Sequence, residues 1–268
     1  MEKNVLHYFV DTNSSRGFVS FWESNFGKLE KVVKLDGYPD LLVTQLVSQA
    51  CAQALGCEQE VELVHNCLDN SLQGIILPGQ KTGLLNLPAY GDESYSLRLA
   101  EDENLSKARE RVQRAYGCFG QALKIHDDWE RIFISSMDFE AMDELAEETA
   151  EKLFGGQKTD HAGSCADRFF GAATVNGSYD YIPNITQEIP KRYFLKGRPG
   201  TGKSTFLKML ARAAQDRGYR TEAYHCAFDP NSLDMIAVRE LGLCVFDSTA
   251  PHEYFPDRDS DEIIDIYK

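Results

Sequence analysis

The sequence predicts an α/β fold: a parallel sheet with flanking helices, duplicated along the chain, with an αα-hairpin inserted between the two copies. Three observations predict it. Short apolar runs alternate with helical stretches, as Arg192 to Leu195 and then Gly202 to Arg217 do. Residues recur at a fixed offset: Leu35, Gly37 and Pro39 return 160 positions later as Leu195, Gly197 and Pro199. Ala54, Glu62, His65 and Asp69 return as Ala214, Glu222, His225 and Asp229, and at an offset of 161 Asn70, Ser71, Leu72 and Ile75 return as Asn231, Ser232, Leu233 and Ile236. Between the copies lies a stretch of a different texture, apolar at helical spacing.

Taken in order, the first copy (residues 1–98) opens on an aromatic-led run, His7 to Gly17, whose counterpart is Arg168 to Gly177. It continues as a strand from Lys31 to Leu35, a helix from Asp40 to Leu55, a strand from Glu60 to His65, a variable stretch at Asp69 to Leu72, and a strand from Gly83 to Leu87. The insertion (99–156) places Leu105, Ala108, Val112, Ala115, Phe119, Ala122, Trp129 and Phe133 near one helical face. Asp138 then caps a second helix that ends at Gly155-Gly156. This hairpin is expected to support the first copy, with a lid or a partner surface as the alternatives. Residues 155–164 read as a linker.

The second copy (165–268) repeats the order with strands at Arg192 to Leu195, Arg220 to His225 and Leu241 to Asp247. Asp261 to Ile266 starts a helical pattern just as the chain stops, so the copy looks shorter than its own repeat predicts. The acidic run Asp257 to Asp265 reads as a solvated face.

Composition bounds the rest. With 268 residues, 43% of them hydrophobic, the chain can bury a sizeable core. No apolar run approaches the ~20 residues that span a bilayer, and the start Met1-Glu2-Lys3-Asn4 lacks a signal-peptide core. Seven cysteines without a C-x-x-C pair fit a reducing cytoplasm, which is the expected location. The formal net charge of −14 argues against general attraction to a nucleic-acid backbone.

The chemistry concentrates in Gly197 to Ser204, which reads G-x-x-x-x-G-K-S. Tyr193, Phe194 and Leu195 before it suit a buried strand. Phe206, Leu207, Leu210, Ala211 and Ala214 after it recur at helical spacing until Gly218. Strand, glycine turn and helix are the context of a phosphate-binding loop, so the expected fold is of the P-loop NTPase type. Gly200 and Gly202 allow positive φ and close backbone approach, and successive N–H groups then face phosphate oxygens at a helix N-terminus. Gly197, Pro199, Gly200, Thr201, Gly202, Lys203, Ser204 and Thr205 are the expected nucleotide-binding residues. Lys203 reaches the β- and γ-phosphates and Ser204 the magnesium ion.

Asp247, a carboxylate ending the apolar strand Leu243 to Asp247, is the second expected metal ligand and, with Lys203, a catalytic candidate. A cap on the turn beside Ser248 and Thr249 is the plainer alternative for it. No glutamate follows Asp247, so the base that orients water must come from elsewhere. His225, Asp229, Asp234, His252 and Glu253 are candidates because they fall at strand ends, where open α/β sheets place ligands. His65 and Asp69 repeat His225 and Asp229 in the copy without a working loop, which favours a structural role for that pair. Arg198 is either a phosphate contact or an exposed loop residue.

The first copy has Gly37-Tyr38-Pro39-Asp40-Leu41-Leu42-Val43-Thr44 at the loop position, and Asn86 where the second has Asp247. Asp40 there repels phosphate, Leu42 blocks backbone approach, and Val43 replaces the lysine.

Phe169 to Thr174, Leu195 to Thr205, His225 to Asp234 and Phe246 to Glu253 together resemble an uncharacterised bacterial family of tandem P-loop ATPase-like proteins. The resemblance covers most of the chain. It implies duplicated P-loop domains with a helical hairpin, and it implies ATP rather than any particular process. Members typically hold a glycine-rich loop in both halves, and the first loop here departs from that pattern.

The leading expectation is therefore a magnesium-dependent ATP-binding protein and slow ATPase with one active and one degenerate site. The alternatives are a small-molecule or nucleotide kinase, and a nucleotide-gated interaction module that binds a protein partner through the helical hairpin.

Overall fold

The computed structural model describes residues 4–35, 38–86, 103–156, 158–250 and 252–266. Gly37, Leu87, the expected boundary at residues 98 and 99, and the chain end at Tyr267-Lys268 lie outside the described residues. The first elements are β1 (Val5–Phe9), β2 (Asp11–Ser14), β3 (Gly17–Ser20), α1 (Trp22–Phe26), β4 (Lys31–Lys34), α2 (Asp40–Gly56), β5 (Val61–His65), β6 (Leu72–Leu77) and β7 (Thr82–Leu85). Two long helices follow, α3 (Glu103–Ile134) and α4 (Phe139–Phe154). Then come β8 (Ser164–Phe169), β9 (Gly171–Thr174), β10 (Gly177–Asp180), α5 (Ile182–Thr186), β11 (Lys191–Lys196), α6 (Lys203–Asp216), β12 (Arg220–His225), β13 (Leu233–Val238), β14 (Leu243–Asp247) and β15 (Glu262–Asp265).

The order from β1 to β7 recurs from β8 to β14, and small details recur with it. Both β2–β3 and β9–β10 are hairpins turned at a positive-φ glycine, Gly17 and Gly177. The hydroxyls of Ser14 and Thr174 donate to the carbonyls of those glycines at 2.8 Å in each case. A register shift falls at Val64/His65 in one copy and at Tyr224/His225 in the other.

Two compact units form, one of Met1–Gln121 with Arg168–Ile185, the other of Ala122–Asp167 with Thr186–Lys268. They do not follow the sequence spans, because the β9–β10 hairpin belongs with the first unit.

In the first unit the strand order is β1-β5-β6-β7-β4. The pairs β1–β5 and β4–β7 are parallel, and β6 is antiparallel to both of its neighbours. The sheet is thus mixed where the sequence led us to expect parallel pairing. The difference comes from β6, which the variable stretch at Asp69 to Leu72 concealed. Only Pro78–Gln80 and left-handed Lys81 connect β6 to β7, and so short a link can reverse a chain but cannot cross over to a parallel neighbour. Val5, Val43, Val47, Val61 and Ile75 pack α2 onto this sheet, and Phe9, Cys67, Phe169 and Ala172 form a second cluster.

The second unit has the order β15-β11-β14-β13-β12. Here β11 is parallel to both β14 and β15, and β13 runs antiparallel between β12 and β14. Met142, Ala146, Ala150 and Phe154 of α4 share a core with Phe206, Leu207, Leu210 and Ala211 of α6 and with Tyr193 and Val245 of the sheet. The Asp138 carboxylate accepts the Ala141 amide at 3.0 Å and caps α4, as expected. The expectation that the hairpin supports the first copy is corrected for α4. Its small Ala146 and Ala150 allow close approach to Ala211 and Ala214 of α6, so it packs on elements that follow it in the chain.

Two further corrections concern the acidic segment. Residues 262–265 form β15, paired parallel to β11, rather than starting a helix. A free sheet edge beside Tyr193 to Lys196 outweighs a short helical pattern. The run is also not simply solvated. Asp261 takes two bonds from Arg192, at 2.9 and 2.6 Å, with Asp257 on the same guanidinium, and the Asp261 side chain is fully covered. The Arg192 bonds hold the Asp261 carboxyl well below the usual carboxylate range. Glu262 bridges Lys152 and Lys191. Among the described residues no helix is long and apolar enough to cross a membrane.

Candidate functional site

Arg192 to Leu195 of β11 are buried, and the strand delivers the chain to Gly197 at the C-terminal end of the second unit's parallel strands. Gly197 is forced to be small: a Cβ there would lie 2.6 Å from Ile266 Cγ1 and 2.6 Å from Thr201 Oγ1. The loop closes on itself through Thr201, whose hydroxyl donates to Arg198 O at 2.7 Å. Gly200 has φ +79° and packs so tightly that a Cβ would meet the Glu130 carbonyl of α3 at 2.7 Å. Gly202 has φ +81° and is the N-cap of α6, with no side chain capping the first turn. The amides of that turn therefore lack a side-chain acceptor, at the positive end of the helix.

Lys203 begins α6. Its Nζ donates to Gly197 O at 2.5 Å and lies 3.5 Å from Asp247 Oδ2. The lysine thus links the start of the loop to the end of β14. Ser204 Oγ accepts the Leu233 amide at 2.9 Å, tying the first turn of α6 to the first residue of β13. Thr205 is exposed and Pro199 is half-buried. Arg198 is exposed with its guanidinium over the Phe133 ring, 5.8 Å from the centroid, as an outward loop residue would be.

Asp247 takes the capping role offered for it and turns its second oxygen towards Lys203. Its Oδ1 accepts the Thr249 amide at 3.0 Å and hydroxyl at 2.6 Å, while its Oδ2 faces Lys203. Asp234 stands beside it. Met235 pairs with Phe246 in an antiparallel ladder, which brings the flanking Asp234 and Asp247 close enough for Asp247 to act on the charge of Asp234. Burial, and after it the neighbouring Asp247, push the Asp234 carboxyl up to about 6, against the lowering effects of the Cys226 thiol, His252 and Lys203. Ser204, Asp234 and Asp247 supply hard oxygen donors, a set that suits a magnesium ion. Lys203 and the uncapped helix start suit a polyphosphate.

The other candidates are accounted for. His225 is engaged at both ring nitrogens, with Asp167 Oδ1 at 3.0 Å and Pro230 O at 2.8 Å. His65 repeats the second contact, its Nδ1 lying 3.1 Å from Asn70 O, and its Nε2 meets His7 Nδ1 at 2.9 Å. Burial pushes His65 down to about 4. Asp69 and Asp229 cap the turns that follow, accepting the Ser71 amide at 2.9 Å and the Asn231 amide at 3.2 Å. This geometry gives both His–Asp pairs structural work. His252 lies close enough to Asp234 to act on its charge, and Glu253 lies in the loop after β14.

Sequence reasoning offered Asp234 only as one of five candidates and overlooked its pairing with Asp247. A signal was present: at the offset of 161, Asp234 and Asp247 correspond to Gln73 and Asn86, so the two carboxylates are lost together.

Compared with known proteins, the chain matches no family model, no curated protein and no solved structure.

Proposed function

We propose that the protein is a duplicated P-loop protein that binds magnesium ATP at Gly197 to Thr205 and hydrolyses it slowly, with the first copy as a nucleotide-free scaffold. The observation that carries this reading is Lys203 at the start of an uncapped helix, within reach of the loop carbonyl behind it and of Asp247 on the adjacent strand. The recurring hairpins, bulges and histidine contacts support the duplication.

In this reading the amides of Gly200 to Thr205 receive phosphate oxygens, and Lys203 exchanges Gly197 O for the β- and γ-phosphates. Ser204 and Asp247 hold the magnesium ion, which when bound neutralises charge on the β- and γ-oxygens. Asp247 keeps one oxygen for this task while Thr249 fixes the other. No glutamate follows Asp247 to orient water, which fits slow turnover. Calorimetric titration with ATP in magnesium, with phosphate release measured in parallel, tests the reading. Lys203→Ala is expected to weaken binding and lose turnover, and unchanged ATP affinity in that variant would sink it.

A second reading, a nucleotide-gated interaction module, is favoured by α3. Ile125, Trp129 and Ile132 are exposed at i, i+4 and i+7, while the backbone of the same helix at Glu130 touches Gly200. A partner on that stripe would feel the state of the loop. Point substitutions such as Trp129→Ala test it better than deleting the hairpin, because Met142, Ala146, Ala150 and Phe154 are core residues. Tight ATP binding without turnover, together with a partner lost in Trp129→Ala, would favour this reading over hydrolysis.

A further inference from the structure

We propose that Asp234 is the second carboxylate of the cation site, acting with Asp247 and Ser204 to hold magnesium or its water ligands. The inference rests on the phosphate-loop reading above and adds a residue to it.

Three observations lead there. First, the pairing of Met235 with Phe246 brings Asp234 near enough to Asp247 and Lys203 to feel both charges, and Asp247 is the carboxylate that faces Lys203 at 3.5 Å. Second, the residue before Asp234 is the one whose amide binds Ser204 Oγ, at 2.9 Å. The Ser204 hydroxyl is therefore fixed one residue along the chain from Asp234, where the first turn of α6 meets β13. Third, the first copy keeps this architecture and removes the charges. Its β6–β7 register sets Gln73 across from Asn86, joined by the Asn86 amide donating to Gln73 O at 2.9 Å. Thr44, the counterpart of Ser204, still bonds the backbone at Leu72, its hydroxyl donating to the carbonyl at 3.3 Å. The lysine and the two carboxylates are gone, replaced by Val43, Gln73 and Asn86, and the loop glycines are gone with them.

The fold thus accepts amides at both positions, so packing does not require the acids. Two carboxylates set side by side repel, and beside one lysine they carry an unbalanced charge that a divalent cation would offset. Oxygen-only donors on a phosphate loop select magnesium among the common ions. The Cys226 thiol hydrogen-bonds the Asp234 carboxylate.

The test uses the full chain and measures ATP affinity by calorimetry across a magnesium series and in chelator. In Asp234→Asn the magnesium concentration needed to tighten ATP binding should rise about tenfold, as loss of a supporting carboxylate does at other metal sites. Affinity in chelator should be unchanged or slightly higher, and Asp234→Glu should recover part of the loss. A wild-type magnesium requirement in Asp234→Asn would overturn the assignment while leaving the phosphate loop intact. A wild-type protein that binds no ATP with or without magnesium would bring down the phosphate-loop reading, and this inference with it.

Discussion

Residues 38–44 and 198–204 correspond at an offset of 160, each between a strand and a helix, and they differ in where the helix starts. In the second copy α6 begins at Lys203, after a loop that turns through left-handed Gly200 and Gly202. In the first, α2 begins at Asp40, three residues earlier on the common offset, with Pro39 as its N-cap. Asp40, Leu41 and Leu42 wind into the helix where Gly200, Thr201 and Gly202 stay out of it. The amide-lined cradle is therefore removed as a structure, beyond the charge and bulk that the sequence pointed to. Asp40 supplies the carboxylate of that helix start itself, where it accepts Asn86 Nδ2 at 3.3 Å, and burial raises it above the ordinary aspartate value.

The largest effect that would break this comparison is at Lys203. Lys203→Ala should weaken ATP binding about 10- to 100-fold, the scale of losing charge-assisted bonds, read by calorimetry. Adding Val43→Lys to that variant should restore nothing, because a lysine on an unbroken helix has no cradle behind it. Recovery of binding would mean that the helical start in the first copy is not what disables it.

Next comes a contrast in buried ionisable groups. His65 is lowered to about 4, so its neutral form favours the fold, and the benefit present above about pH 6.5 is lost as pH falls towards 4. Asp11 is fully buried and raised to about 6 by burial, with Gln73 Nε2 on one oxygen at 2.8 Å and no hydrogen-bond partner for the other. Its penalty grows as pH rises from about 3.8 to 6, so the two groups oppose one another over most of that range. Asp11→Asn should therefore raise stability by about 1–3 kcal/mol at pH 7 and by almost nothing near pH 4. It should also steepen the acid-side decline left by His65. Urea melts at pH 4, 5, 6 and 7 measure this, and a pH-independent difference would contradict the assignment.

Gly200→Ala should follow, at about 1–3 kcal/mol of destabilisation and a lowered Tm, from left-handed backbone and collision with Glu130 O. Gly56→Ala, in a helix with open space around it, should be neutral or stabilising by up to about 1 kcal/mol.

The legible parts of the molecule were those fixed by local pattern. The apolar spacing from Phe206 to Ala214 marks the buried face of α6, Asp138 marks the start of α4, and the glycines and lysine of the loop mark the turn before α6. What stayed hidden depended on distant partners. A six-residue strand such as β13 has too short a pattern to stand out until β12 and β14 flank it. The pairing of Asp261 with Arg192 joins residues far apart in the chain.

The sequence by itself determined an α/β succession whose residues recur at a fixed offset, and that only one of the two matching stretches keeps a lysine among glycines, because offset, spacing and residue type are local and countable. Only the tertiary structure decided that the sheets are mixed, that α4 packs against α6, and that Asp234 faces Asp247. Each of those depends on strand register and helix docking, which are set by pairing and packing between segments remote in the chain.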